Sequence, residues 1–463
     1  MTSSFSHSLR KRTKPFENLA LAENAHSMYA LGMKVLSYKD AAYARFVKKL
    51  DRRATPGGAG KNIEDIVASI ITDVQKRGNA AVLEYTQKFD GLKLTNKSLF
   101  VSQAEIAEAY ALVDEDVKQA VAISKRNIHA FAKRSMRKDW KAKNSEGVEV
   151  GERFTPYDRV GVYVPGGKAP LVSTALMTAA FGQAAGVPQI LAASPAGPDG
   201  KLNPALLYAL VESGATEIIK VGGAQAIAAM ALGTKSIAPV EKIFGPGNVF
   251  VVEAKRQLVG AVSIDLLPGP SEVLIVADKS ANAKFIAADM LAQAEHGGDS
   301  VVGFATNSKQ LLTQVEKEIQ KQASTLSREK YLRDVLKKGT FCLLTQTLQE
   351  AVDICNAFAP EHLSLVVENE DKWLGKIRTA GAIYVGPLAA VAVGDFLAGP
   401  SHTLPTGGSG KSFSGLRADQ FQRRASIVRM DQKALKKSLP TVETFARVEG
   451  LDAHGRSVSI RVE

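Results

Sequence analysis

Between Val160 and Thr306 the chain alternates short β-branched runs with helical stretches, and this alternation restricts the fold more than any other feature of the sequence. The runs Val160–Val164, Ile190–Ala193, Ile218–Val221, Val273–Ala277 and Val301–Thr306 read as strands. Segments such as Pro204–Glu212 lie between them as helices, with Asn203 as cap, Pro204 in the first turn and Gly214 beyond the end. Strand and helix alternating at this spacing imply βαβ units and parallel sheets. Upstream, Ile63, Ile66, Val67, Ile70, Ile71 and Val74 mark one face of a helix that Asn62 caps and Gly78 stops; a second helix runs through Tyr85 and Phe89 to Gly91. At 463 residues the chain exceeds what one hydrophobic core organises, so two or more domains are expected. The expected class is α/β.

The formal net charge of +12 raises the question of nucleic acid. Most of it sits in two segments: residues 1–53 hold eleven Lys and Arg against four acids, and residues 125–143 hold eight against one. No zinc-finger spacing, RNP-like aromatic motif or basic region leading into heptads accompanies them, so a basic tail and a solvated helix face are expected, with no nucleic-acid partner. No stretch has the length and apolarity of a membrane span. Two cysteines, Cys342 and Cys355, outside any C-x-x-C pair exclude a disulfide scaffold or a cysteine-ligated zinc and fit a cytoplasmic location. Residues 1–32, Ser-rich and basic and then Ala-rich, read as a poorly ordered extension.

Seven histidines narrow the search for chemistry. His296 ends a helix read as Phe285–His296, with Gln293 three residues earlier on the same face. Together they offer an oxygen and a nitrogen; Asp395 and His454 are candidates to complete a nitrogen and oxygen set suited to zinc or another divalent first-row metal. Glu361-His362 follows Ala359-Pro360, where proline favours a loop or a helix start, and an adjacent carboxylate and imidazole can serve as two proton-transfer groups. Glycine turns follow several strands, at Pro165-Gly166-Gly167, Gly222-Gly223 and Gly245-Pro246-Gly247-Asn248, but none has the dinucleotide fingerprint. Pro405–Ser412 lacks both the first glycine and the preceding strand of a P-loop, so a nucleotide triphosphatase is rejected.

Taken in order, Asp158–Gly167, Gly222–Ala226, Phe244–Asn248, Gly269–Val273, Gln293–Gly297, Ala359–Leu363, Gly394-Asp395 and Ser401–Thr406 resemble the histidinol dehydrogenase family over residues 33–463. The resemblance implies a zinc-dependent, NAD-linked oxidation of L-histidinol through its aldehyde to L-histidine. It assigns Gln293, His296, Asp395 and His454 to zinc, and Glu361 and His362 to acid/base catalysis. It places Ser271, His402 and Glu449, with the metal ligands and His362, against substrate, and Tyr163, Gln225 and Asn248 against NAD. It implies an intertwined homodimer of two incomplete Rossmann-like domains with small helical extensions. The expected division is an arm at 33–55; a first domain at 56–162 plus 271–414 with the catalytic and metal residues; an inserted NAD-binding domain at 163–270; and a tail at 415–463 that crosses to complete the partner's site. The superfamily also holds paralogues acting on other small alcohols such as sulfonated diols. Retention of Glu361, His362, Asp395, Glu449 and His454 together favours histidinol over those; a non-enzymatic basic binding protein is the remaining alternative.

Overall fold

The computed structural model describes residues 32–52, 60–166 and 170–463; apart from Gly32, the expectation for residues 1–32 lies outside the described residues. Two parallel sheets form the framework. One runs in the order Glu217–Ile219, Gln189–Ala193, Arg159–Tyr163, Lys242–Phe244, Ser263–Ile264. The other runs Lys34–Ser37, Thr340–Leu344, Val301–Thr306, Glu272–Ala277, His362–Val366, Ala382–Val385. Numbered by sequence within each unit, both have the order 3-2-1-4-5, with Lys34–Ser37 added at one edge of the second. This is the doubly wound arrangement of a Rossmann-like unit, present twice.

Residue chemistry explains why both sheets are covered on both faces. In Glu272–Ala277, Val273, Ile275 and Ala277 pack into one apolar cluster while Leu274 and Val276 enter another. Val160 and Val162 face one cluster of the five-stranded sheet and Tyr163 faces the opposite one. Apolar residues at both phases of the two-residue period leave no face for water, as parallel sheets require.

Of the helix expectations, Pro204–Glu212 forms as read, with the Asn203 side chain accepting from the Ala205 and Leu206 N–H groups. The upstream helix spans Lys61–Arg77 and buries Val67, Ile70 and Val74, but its cap is Gly60, so Asn62 lies inside the first turn. The helices Lys61–Arg77 and Asn79–Asp90 pack against Gly223–Leu232 and Val249–Gln257, and Glu115–Ser135 packs against Val172–Ala184. Residues 61–135, grouped on sequence grounds with 271–414, thus share their core with the five-stranded sheet, and Arg159–Tyr163 is that sheet's central strand.

A third, antiparallel sheet pairs Gln422–Arg429 with Glu149–Pro156 and the latter with Trp140–Lys143. Beyond it the chain ends in the helices Gln432–Glu449 and Asp452–Ser459, which touch the body where the Lys437 ammonium donates to the Ser145 carbonyl at 2.7 Å. Among the described residues, no helix is long and apolar enough to cross a membrane.

Candidate active site

Glu361 and His362 sit at the amino edge of the six-stranded sheet. The proline reading of a loop or helix start holds for Glu361, but His362 opens the strand His362–Val366, because its neighbour in the sheet supplies a ladder for it. That neighbour begins at Glu272, whose backbone grips both candidates. Its N–H donates to the Glu361 carboxylate at 2.8 Å, and its carbonyl lies 3.0 Å from His362 Nδ1. A carbonyl only accepts, so Nδ1 carries the hydrogen, and Nε2 of the neutral ring is left as the acceptor. Nε2 stands 3.5 Å from Asp395 Oδ1, too far for a good hydrogen bond.

Burial pushes Glu361 up to about 8. Burial alone would lower His362, but the neighbouring carboxylates Glu361 and Asp395 outweigh it and raise the imidazole to about 9. Two such groups 3.5 Å apart titrate as a pair, and the pair holds its protons more tightly than isolated residues would.

The metal candidates come from two further elements. Gln293 lies in the last turn of Ala283–Ala294, which begins and ends two residues earlier than the helix read from sequence, so His296 falls just past its end. Gln293 is buried. His296 is exposed at its surface side, yet burial is the leading cause of its lowered pKa, and it feels the charges of Asp395 and His362. Asp395, buried in the short helix Val391–Phe396, is held below the usual carboxylate range by His362, which overcomes the opposing effect of burial. The two helices adjoin: the Asp289 carboxylate, one turn before Gln293, accepts from the Val391 N–H. Gln293 Nε2, His362 Nε2 and Asp395 Oδ1 are buried polar atoms without a hydrogen-bond partner.

His402 approaches the same point. Its Nδ1–H donates to the Asp395 carbonyl at 3.1 Å and its Nε2 accepts from the Thr174 hydroxyl at 3.2 Å. Burial drives its pKa down to about 4, so it is neutral with both nitrogens engaged. Ser271, half-buried, directly precedes Glu272. Thr174 belongs to the helix that follows the central strand of the five-stranded sheet, so this contact joins the two units.

The three candidate NAD contacts line the carboxyl edge of the five-stranded sheet. Tyr163 ends the central strand, and its buried hydroxyl, pushed up to about 12 by burial, accepts from the Gly223 N–H at 3.0 Å. Gln225 is buried in the first turn of Gly223–Leu232 with neither amide atom partnered. Asn248 caps Val249–Gln257 by accepting from the Phe250 and Val251 N–H groups. Gly245 (φ +111°) passes against the Tyr163 backbone, where a Cβ would collide. Tyr163 and Asn248 flank the point where strand order reverses, the usual ligand crevice of such sheets. The rejected P-loop segment has other work: the Lys411 ammonium reaches Asp51 at 2.6 Å and the Arg52 carbonyl at 2.7 Å.

Glu449 and His454 are not brought to this cluster. Both are exposed on the terminal helices, and among the described residues no three of His, Cys, Asp and Glu assemble as a metal site. Arg52, Glu272 and Thr174 had no role in the sequence reading. Glu272 acts through its main chain, which leaves no mark on residue type, and Arg52 and Thr174 meet their partners 220 and 228 residues away.

Residues 54–462 match the family model described as histidinol dehydrogenase. The chain is 43% identical over 397 residues to a histidinol dehydrogenase of Geobacillus kaustophilus, covering 86% of this chain and 93% of that protein. It is 41% identical over 429 residues to one of Synechococcus sp., covering 93% and 98%. A crystal structure of histidinol dehydrogenase from Elizabethkingia anophelis superposes with a TM-score of 0.88 at 34% identity, over 93% of this chain and 98% of that one.

Proposed function

The chain belongs to the histidinol dehydrogenase family and is an oxidoreductase, and from that premise we propose that it oxidises L-histidinol through L-histidinaldehyde to L-histidine with two NAD, at the end of histidine biosynthesis. The observation that carries this reading is the buried Glu361–His362 pair, set at the amino edge of one sheet and joined through His402 and Thr174 to the unit bearing Tyr163, Gln225 and Asn248.

A zinc ion fits the residues present. Gln293, His362 and Asp395 each carry a buried polar atom without a hydrogen-bond partner, His362 Nε2 and Asp395 Oδ1 lie 3.5 Å apart, His296 feels the charge of both, and the donor set is nitrogen and oxygen without sulfur. Gln293, His296 and Asp395 would hold the ion, with His454 as fourth ligand. When bound, it would orient the substrate's amino alcohol and polarise the oxygen that is oxidised. With Asp395 engaged in this way, one of the two carboxylates that raise His362 is neutralised, which favours the neutral ring a base requires.

His362 Nε2 accepts the alcohol proton as hydride passes to NAD, with Nδ1 held on the Glu272 carbonyl so that the ring keeps one tautomer and one direction. Glu361, in its ionised form, then takes a proton from the water that attacks the aldehyde, and the hydrate so formed gives its hydride to the second NAD. Two oxidations need two proton acceptors, and the adjacent groups divide the work. Ser271 and His402 border the substrate, and Glu449 would pair with its ammonium.

Glu449 and His454 are exposed here, and the terminal helices also expose Phe445, Val448, Leu451 and Ile460. An apolar face next to site residues remote from their own site supports a homodimer in which each tail completes the partner's site.

The test is the NADH formed per L-histidinol consumed at limiting substrate, with and without chelator. Two NADH, lost on chelation and restored by zinc, are expected. No NADH from histidinol, in protein that still binds zinc and NAD, would move the assignment to another small alcohol.

A further inference from the structure

Glu272 is gripped from outside the site. Its side chain is 2% exposed, and its two carboxylate oxygens accept from Arg52 Nη1 and Nη2 at 2.7 and 2.6 Å, a bidentate pair. Arg52 does not stop there. Its Nε–H donates to the Phe358 carbonyl at 3.2 Å, and its guanidinium lies 3.6 Å from the Phe358 ring centre. Phe358 ends the helix Leu348–Phe358, three residues before Glu361. Between them Ala359 is held at φ 51°, a left-handed conformation that a residue with a Cβ adopts only where its surroundings impose it. One guanidinium therefore fixes both supports of the Glu361–His362 pair: the Glu272 residue whose backbone binds the two side chains, and the helix end from which their main chain departs.

We infer that Arg52 is a positioning residue, which holds Glu361 and His362 in register through Glu272 and Phe358 and so makes the N-terminal arm part of the catalytic apparatus. This rests on reading Glu361 and His362 as the acid/base pair. The device is specific to arginine. Lysine keeps the positive charge beside the buried carboxylate, but it cannot donate to both oxygens and to Phe358 at once, nor lie flat on the ring. A purely structural ion pair needs only charge balance, whereas a positioning device needs the fork.

The experiment compares Arg52→Lys, the charge-free pair Arg52→Met with Glu272→Gln, and His362→Asn in the full chain, by NADH formation from L-histidinol and by thermal melting. For Arg52→Lys, kcat is expected to fall about tenfold to a hundredfold, the cost of a slightly misplaced acid/base group, with KM for NAD unchanged. The charge-free pair is expected to fold and to show the same loss confined to kcat. Arg52→Ala with added methylguanidinium is a fourth arm, and partial recovery of kcat is expected. A kcat near that of the parent in Arg52→Lys or in the charge-free pair overturns the inference, as does an equal loss in KM for NAD, which would mean a general loosening of the fold. His362→Asn separates the two readings: if it keeps turnover, the acid/base assignment has failed, whereas an inactive His362→Asn beside fully active Arg52 variants means that only the positioning role has.

Discussion

Replacing Lys255 by methionine tests how the candidate cofactor turn is built. Lys255 and Asp265 form an ion pair with both side chains fully buried, beneath the Gly245–Asn248 turn. The Lys255 ammonium also donates to the Gly245 carbonyl at 3.0 Å, and Asp265 accepts from the Gly245 N–H at 2.8 Å and the Leu266 N–H at 2.6 Å. Methionine fills much of the same space but leaves a buried carboxylate without its cation, a change that costs about 3–5 kcal/mol. It also strips the Gly245 carbonyl of its donor, an additional ~1–3 kcal/mol, part of which the two N–H groups on Asp265 offset. A net loss of about 4 kcal/mol lowers the melting temperature by roughly 10 °C for a unit of some 200 residues. Thermal melts of Lys255→Met, Asp265→Leu and the double variant measure it. Because the penalty lies in the orphaned charge rather than the lost pair, the double variant is expected to recover most of the stability lost in either single one. A Lys255→Met protein within about 1 kcal/mol of the parent, or a double variant as unstable as the sum of the singles, would refute the reasoning.

Glu316, raised to about 7 by burial, keeps a proton in the folded chain that the unfolded chain gives up near its ordinary value of 4.5. The contribution is therefore full below pH 4.5 and falls as pH rises toward 7, and Glu316→Gln is expected to flatten that part of a stability-against-pH curve. His362→Asn removes the acceptor nitrogen at Nε2, so kcat is expected to drop by about 10²- to 10⁴-fold while NAD binding, measured by fluorescence titration, is unchanged; full turnover would end the acid/base assignment. At Gly394 a Cβ would run into the Tyr384 hydroxyl and ring. Gly394→Ala is thus expected to shift Asp395 and lower the zinc retained after dialysis, and retention equal to the parent would separate Asp395 from the metal.

The five strands read from Val160 to Thr306 all form, within a residue or two of the expected bounds, because a strand covered on both faces must be apolar at every position and so announces itself locally. The Gln293–His296 spacing is legible only in part: Gln293 sits in the last turn of its helix, but His296 lies two residues beyond the helix end, where helical spacing no longer sets its direction. His362–Val366 was hidden behind Pro360; the ladders offered by Glu272–Ala277 and Ala382–Val385 on its two sides make it a strand. Asp395 carries no local sign of its partner, because its approach to His362 depends on where a helix more than thirty residues later comes to rest. Arg52 and Glu272 are 220 residues apart, and what Glu272 offers the site is a backbone N–H and a carbonyl, groups that every residue but proline possesses. Local chemistry determined the elements and the residue types able to react. Tertiary structure decided which of them meet, because burial and main-chain hydrogen bonds act between neighbours in space rather than in sequence.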